Sequence, residues 1–71
     1  MPHAAQYRLL DDAGFVLETF TGDDDPAAER TARRLSVRHL RTDSWSGAKG
    51  GFMLERDAGG VWVLVLAWAP A

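Results

Sequence analysis

Residues 61–69, VWVLVLAWA, carry no charged side chain, and they close a chain of only 71 residues. A strand with one wet face alternates apolar and polar residues, because successive side chains point to opposite sides. Here both sides are apolar. The run is far short of the ~20 apolar residues that a membrane helix needs. Whatever fold the chain adopts must find cover for two faces of this strand, or leave one bare.

The length makes that demand sharper. At 71 residues the expectation is one domain, 1–71, with 1–5 loosely held and a loop at 41–51. Such a domain buries only about 60 % of the surface its unfolded chain exposes. Its core rarely supplies more than about 3–5 kcal/mol, and disulfides, a metal or oligomerisation usually make up the difference. There is no cysteine, which removes disulfides and thiolate ligands. His3 and His39 are the only histidines, so neither a metal nor a cofactor is expected. Self-association is the supplement that remains. A net charge of −2 and a pI near 5.5 argue against a protein whose whole surface binds nucleic acid. The amino terminus, MPHAAQ, has neither the basic segment nor the apolar stretch of a signal peptide. The expectation is a soluble cytoplasmic protein with no membrane partner.

Tyr7 to Phe20, YRLLDDAGFVLETF, reads as a hairpin. Asp12-Ala13-Gly14 suits a three-residue loop, a type I turn followed by a left-handed glycine. That register pairs Leu10 with Val16, Leu9 with Leu17 and Arg8 with Glu18. It puts Tyr7, Leu9, Phe15 and Leu17 on one face, the better core, and Arg8, Leu10, Val16, Glu18 and Phe20 on the other. Gly22 then ends the strand. Asp24 or Asp25 can cap a helix whose first position suits Pro26. Ala28, Ala32, Leu35 and His39 recur at three-to-four spacing, a stripe narrow enough for a helix over about 26–40 to lie close on a sheet. RTDSWSGAKGG is a loop by composition. Phe52–Arg56 and Val61–Trp68 flank the turn DAGG as a second hairpin. Asp-Ala-Gly thus stands at both hairpin tips, 12–14 and 57–59, which common turn chemistry explains as well as duplication would. The expected fold is α+β: ββαββ, a four-stranded antiparallel sheet with one helix packed on one face.

This layout, the two glycine-bearing turns, DDDPAAERTARRL and the closing WVLVLAW together resemble small uncharacterised ββαββ proteins of actinobacteria and their phages. The resemblance covers nearly the whole chain and implies a fold and no activity. The sequence departs from the pattern in its last strand, which in that group carries charged residues on one face. Here Val61, Val63 and Val65 occupy that face.

Period two divides the last strand into Trp62, Leu64, Leu66, Trp68 and Val61, Val63, Val65, Ala67. A three-residue loop sends the large set to the helix side and leaves Met53 and the valines outside. A four-residue loop reverses this. The first is favoured, because a small domain needs its largest side chains inside. The bare face would then hold Val61, Val63, Val65 and Met53, extended by Leu10, Val16 and Phe20. A patch of that size on a soluble monomer usually marks an interface. A symmetric dimer stacked sheet on sheet is the simplest cover. The long loop or the N-terminal segment, another protein or a ligand would be alternatives.

Little in the sequence suggests chemistry. Arg30, Arg34, Arg38 and Arg41 share a helix face and could contact phosphates, although a solvated face suited to the helix dipole is the plainer reading. Asp23–Asp25 reads as a cap more than as a cation loop. GAKGG at 47–51 lacks the spacing of a phosphate loop, and a strand follows it instead of a helix. Trp45 either tucks against the sheet or anchors a partner. His39 reads as a helix-end residue against the core. No catalytic constellation emerges. The function expected is a small non-enzymatic interaction or regulatory protein, a homodimer through the open sheet face. The alternatives are nucleic-acid binding by the arginine helix, and an apolar ligand or peptide on the sheet.

Overall fold

Within residues 4–40 and 51–69, which the computed structural model describes, the chain runs β1 (Ala5–Asp11), β2 (Val16–Gly22), α1 (Asp25–Leu40), β3 (Phe52–Asp57) and β4 (Trp62–Trp68). The strands form one antiparallel sheet in the order β2-β1-β3-β4. The two hairpins therefore meet through β1 and β3, and among the described residues β2 and β4 are the edges. This is the expected α+β, ββαββ layout.

Asp11 builds the first turn. Its Oδ1 accepts the N–H groups of Ala13 and Phe15, both at 2.9 Å. Gly14 donates to the Asp11 carbonyl at 3.1 Å and has φ 91°, the left-handed state expected of it. At the second turn Asp57 pairs with Trp62, so the loop has four residues. Asp57 Oδ1 accepts the Gly60 N–H at 2.7 Å, and Gly59 and Gly60 both have positive φ.

Each hairpin then carries one extra residue. In β2, Val16 opposes Leu10 as expected, but Glu18 opposes Leu9 and Thr19 opposes Arg8. Leu17 is the bulged residue. In β4, Leu64 opposes Glu55 and Leu66 opposes Leu54, so Val65 is bulged. A bulge exchanges the faces of everything beyond it. This corrects the expected placement of several residues. Phe20 is on the helix side, stacked on Tyr7 at 5.8 Å between ring centroids. Arg8 pairs with Glu55 of β3, not with Glu18. Phe15, expected in the core, stands 70 % exposed beside the first turn.

The core lies between the sheet and α1. Tyr7, Leu9, Phe52 and Leu54 pack against Ala28 and Ala32, with Leu17, Phe20, Leu35, Val65, Leu66 and Trp68 around them. The small-residue stripe does what its spacing suggests. A Cβ at Gly22 would lie 3.1 Å from both Ala28 Cβ and Tyr7 Cε1, so the helix starts hard against the sheet. Asp24 is the cap: its Oδ1 accepts the Ala27 N–H at 2.8 Å and its carbonyl the Ala28 N–H at 3.0 Å. That frees Asp25 to turn inward. Asp25 Oδ1 accepts the Tyr7 hydroxyl at 2.7 Å, and Arg56 Nη1 donates to both carboxylate oxygens. Near the other helix end, Glu18 receives His39 Nε2 at 3.0 Å and Arg38 at 3.5 Å. Helix and sheet are thus tied at both ends of their contact.

Candidate interaction surface

The sheet face away from α1 follows from the register, because partners across a ladder share a face. It presents Gln6, Arg8 and Leu10 of β1, Val16, Thr19 and Thr21 of β2, Met53, Glu55 and Asp57 of β3, and Trp62, Leu64 and Ala67 of β4. Both alternatives for the last strand are half right. The four-residue loop sends Trp62 and Leu64 outward. The Val65 bulge then returns Leu66 and Trp68 to the helix side, where Trp68 meets Phe52 at 5.7 Å and lies under the Arg33 guanidinium at 4.9 Å.

Three of the seven expected interface residues keep the open face: Leu10, Val16 and Met53. Leu10 is nevertheless buried and Val16 half exposed. The other four do not. Phe20 packs on Tyr7. Val61 belongs to the second turn, 63 % exposed. Val63 opposes Arg56 on the helix side, beyond the cover of the helix and still 39 % exposed. Val65 is the bulge and packs toward the core. In their place the open face gains Trp62 and Leu64. Favouring the three-residue turn over the four-residue one missed both residues. The four-residue turn was the available signal.

At the centre of this face is one ion pair. Arg8 Nε donates to Glu55 Oε1 at 2.7 Å, and the Arg8 guanidinium lies 4.2 Å above the Trp62 ring. The pair is partly buried, with side-chain exposures of 26 and 19 %. Stacking on the indole places the arginine where both its charge and its plane are used.

The arginine helix is divided. Arg33 bonds Glu29 at 2.9 Å and Arg38 turns to Glu18. Arg30 and Arg34 are exposed and have no ion-pair partner among the described residues. Arg41 and Trp45 lie outside the described residues. His39 is engaged with Glu18 rather than with the apolar core.

The most perturbed titrating groups hold helix to sheet. Burial first, then the hydrogen bond to Asp25 and that residue's charge, pushes the Tyr7 phenol up to about 12. The Tyr7 hydroxyl, followed by the Arg56 guanidinium, holds the Asp25 carboxyl below the usual carboxylate range. Asp25 in turn raises Arg56. Such a closed donor–acceptor set stabilises a fold and offers no spare proton at neutral pH. Among the described residues no group of three His, Cys, Asp or Glu could hold a metal ion, and no helix is long and apolar enough to cross a membrane.

Compared with known protein families, with curated proteins and with solved structures, the chain matches none.

Proposed function

We propose that this is a small non-enzymatic, cytoplasmic interaction protein that works as a homodimer. The open sheet face and the β4 strand bordering it supply the contact surface. One observation carries the reading: Leu64 and Val16 stand 55 and 48 % exposed on the same face as Trp62 and Met53, in a domain too small to leave such area bare without cost. Light scattering after size exclusion tests it, with Leu64→Lys as the variant. Leu64 is outside the core cluster, so the lysine should leave the thermal midpoint of the isolated domain nearly unchanged while halving the mass. A wild-type monomer at tens of micromolar, or a Leu64→Lys dimer, refutes the reading. A monomer would favour the alternative in which the sheet takes an apolar peptide or ligand.

Arg30 and Arg34, with no ion-pair partner among the described residues, favour a second reading, nucleic-acid binding on the outer helix face. Two phosphate contacts give a shallow salt dependence, a slope of about −1.8 in log K against log salt on duplex DNA. The double variant Arg30→Glu and Arg34→Glu should abolish any binding at low salt without unfolding the domain. Titrations that are flat for the wild type exclude it.

A further inference from the structure

The two edges of the sheet are unlike. β2 lies under α1, which packs on β2, β1 and β3, and it carries Glu18, a charged residue turned to the helix. β4 has no charged residue from 61 to 69, and α1 reaches it at the Trp68 end through Arg33. An edge strand presents a row of N–H and C=O groups that another strand can take up. Proteins that keep an edge unpaired usually set Lys, Pro or an inward charge along it. β2 has such a charge and β4 has none. Half of the exposed large hydrophobic residues also gather here: Val61, Val63 and Leu64, against Phe15, Val16 and Val37 elsewhere among the described residues.

We infer that two copies of the chain join by antiparallel pairing of their β4 strands, making one eight-stranded sheet, twice the four of each copy, with both helices on one side. This rests on the self-association proposed above and confines its contact to the β4 edge, where Trp62 and Leu64 of the open face lie, while Val16 on the opposite edge stays outside it. The edge needs a strand that is uncharged, apolar on both faces and of similar length. A second β4 is such a strand, and antiparallel pairing about a two-fold axis is self-complementary. Two seven-residue strands share about 23 Å of edge at 3.3 Å per residue. An axis perpendicular to the sheet keeps each face on its own side. Trp62 and Leu64 of both copies then adjoin on the open face, and Val63 of both adjoins in the cleft between the helices. Stacking face on face is the rival geometry. It would strip the remaining water from the Arg8–Glu55 pair at the centre of the face, a desolvation cost that only an exchange of partners with the pair's own copy could offset, and edge pairing avoids that cost.

The absence of cysteine makes single-cysteine variants clean reporters. Val63→Cys, Leu64→Cys and Val65→Cys sit on β4, and Met53→Cys sits on the open face of β3. In an edge-paired dimer a β4 residue near the axis lies about 5 Å from its own copy. Met53 and its copy lie three strand spacings apart, about 14 Å, beyond the ~7 Å limit for a disulfide. Mild oxidation should therefore give a disulfide-linked dimer from at least one β4 variant and none from Met53→Cys. A Met53→Cys dimer, or none from any β4 variant, overturns edge pairing even where the wild-type mass is that of a dimer, and leaves the self-association standing. A wild-type monomer overturns both. Hydrogen exchange on the wild-type chain decides the matter should the variants fail to fold. The β4 amides should slow about tenfold at a free protein concentration ten times the dissociation constant, while β2 stays unchanged. β4 exchange that is independent of concentration overturns the inference.

Discussion

Deleting one residue from the middle of a strand ordinarily turns every side chain beyond it to the wrong face. In β4 one position should be an exception. Leu64 opposes Glu55 and Leu66 opposes Leu54, with Val65 left over. Removing Val65 joins Leu64 to Leu66 opposite two β3 residues that are already adjacent. Every pairing and every face assignment survives. What is lost is the partial packing of Val65 against the core. Full burial of a valine is worth about 1.5–3 kcal/mol, so a partly buried one contributes about 1 kcal/mol. In a domain of this size that lowers Tm by about 4–8 °C. Deleting Ala67 removes less side chain, two residues further on, where no residue is spare. Either Trp68 or Leu66 must then leave the helix side. Losing a side chain of that size from a core costs about 2–5 kcal/mol, comparable to the whole ~3–5 kcal/mol available to such a domain. Urea and thermal unfolding, followed by circular dichroism and tryptophan fluorescence, should show a folded Val65 deletion and a largely unfolded Ala67 deletion. A Val65 deletion as damaging as that of Ala67 would refute the register argument.

Two further outcomes follow from the structure. The folded Tyr7 phenol is raised to about 12, above its unfolded value near 10. Its contribution is therefore complete below about pH 10 and lost as pH rises towards 12. That loss is on the order of 1 kcal/mol once solvent screening of its partly exposed partners Asp25 and Arg56 is allowed for. Tyr7→Phe should lack this alkaline limb in a stability–pH curve; an unchanged limb would count against the assignment. The depressed Asp25 carboxyl works in the opposite direction, present above the ordinary carboxylate range near pH 3.9 and lost below it. At Gly51 a Cβ would run into the Trp68 carbonyl, so Gly51→Ala should cost about 1–3 kcal/mol as overpacking does. Chemical denaturation measures this, and a neutral effect would mean that the strands do not approach as closely as described.

The alternation of strands, the cap-and-stripe helix and the Gly14 turn were legible because each rests on local chemistry. Asp24 capping, Ala28 and Ala32 in the contact, and Leu10 opposite Val16 all follow from spacings of a few residues. The candidate face was legible only in part. Leu10, Val16 and Met53 were placed correctly, but Trp62 and Leu64 were assigned inward and Phe20, Val63 and Val65 outward. These errors have two causes. Phe20 is misplaced when a single period is carried through Leu17, where the chain holds one residue more than its partner strand. Trp62, Val63, Leu64 and Val65 are misplaced when the second turn is given three residues and not four, and the extra residue Val65 then returns Leu66 and Trp68 to the expected side. Nothing in either residue marks it as bulged, since valine and leucine are as common in a regular ladder.

The sequence by itself determined that this chain makes two hairpins around one helix, that no disulfide holds them, and that the last strand is apolar on both sides. Those properties depend on neighbours along the chain. Only the tertiary structure decided the strand order, the partner of Arg8 and the sides on which Trp62 and Trp68 lie. A bulge is stable when the residues before and after it both gain by their placement. Leu66 and Trp68 gain a core against Leu54 and Phe52, and Trp62 gains the Arg8 guanidinium. That balance exists only once β3, β1 and the helix are all in position.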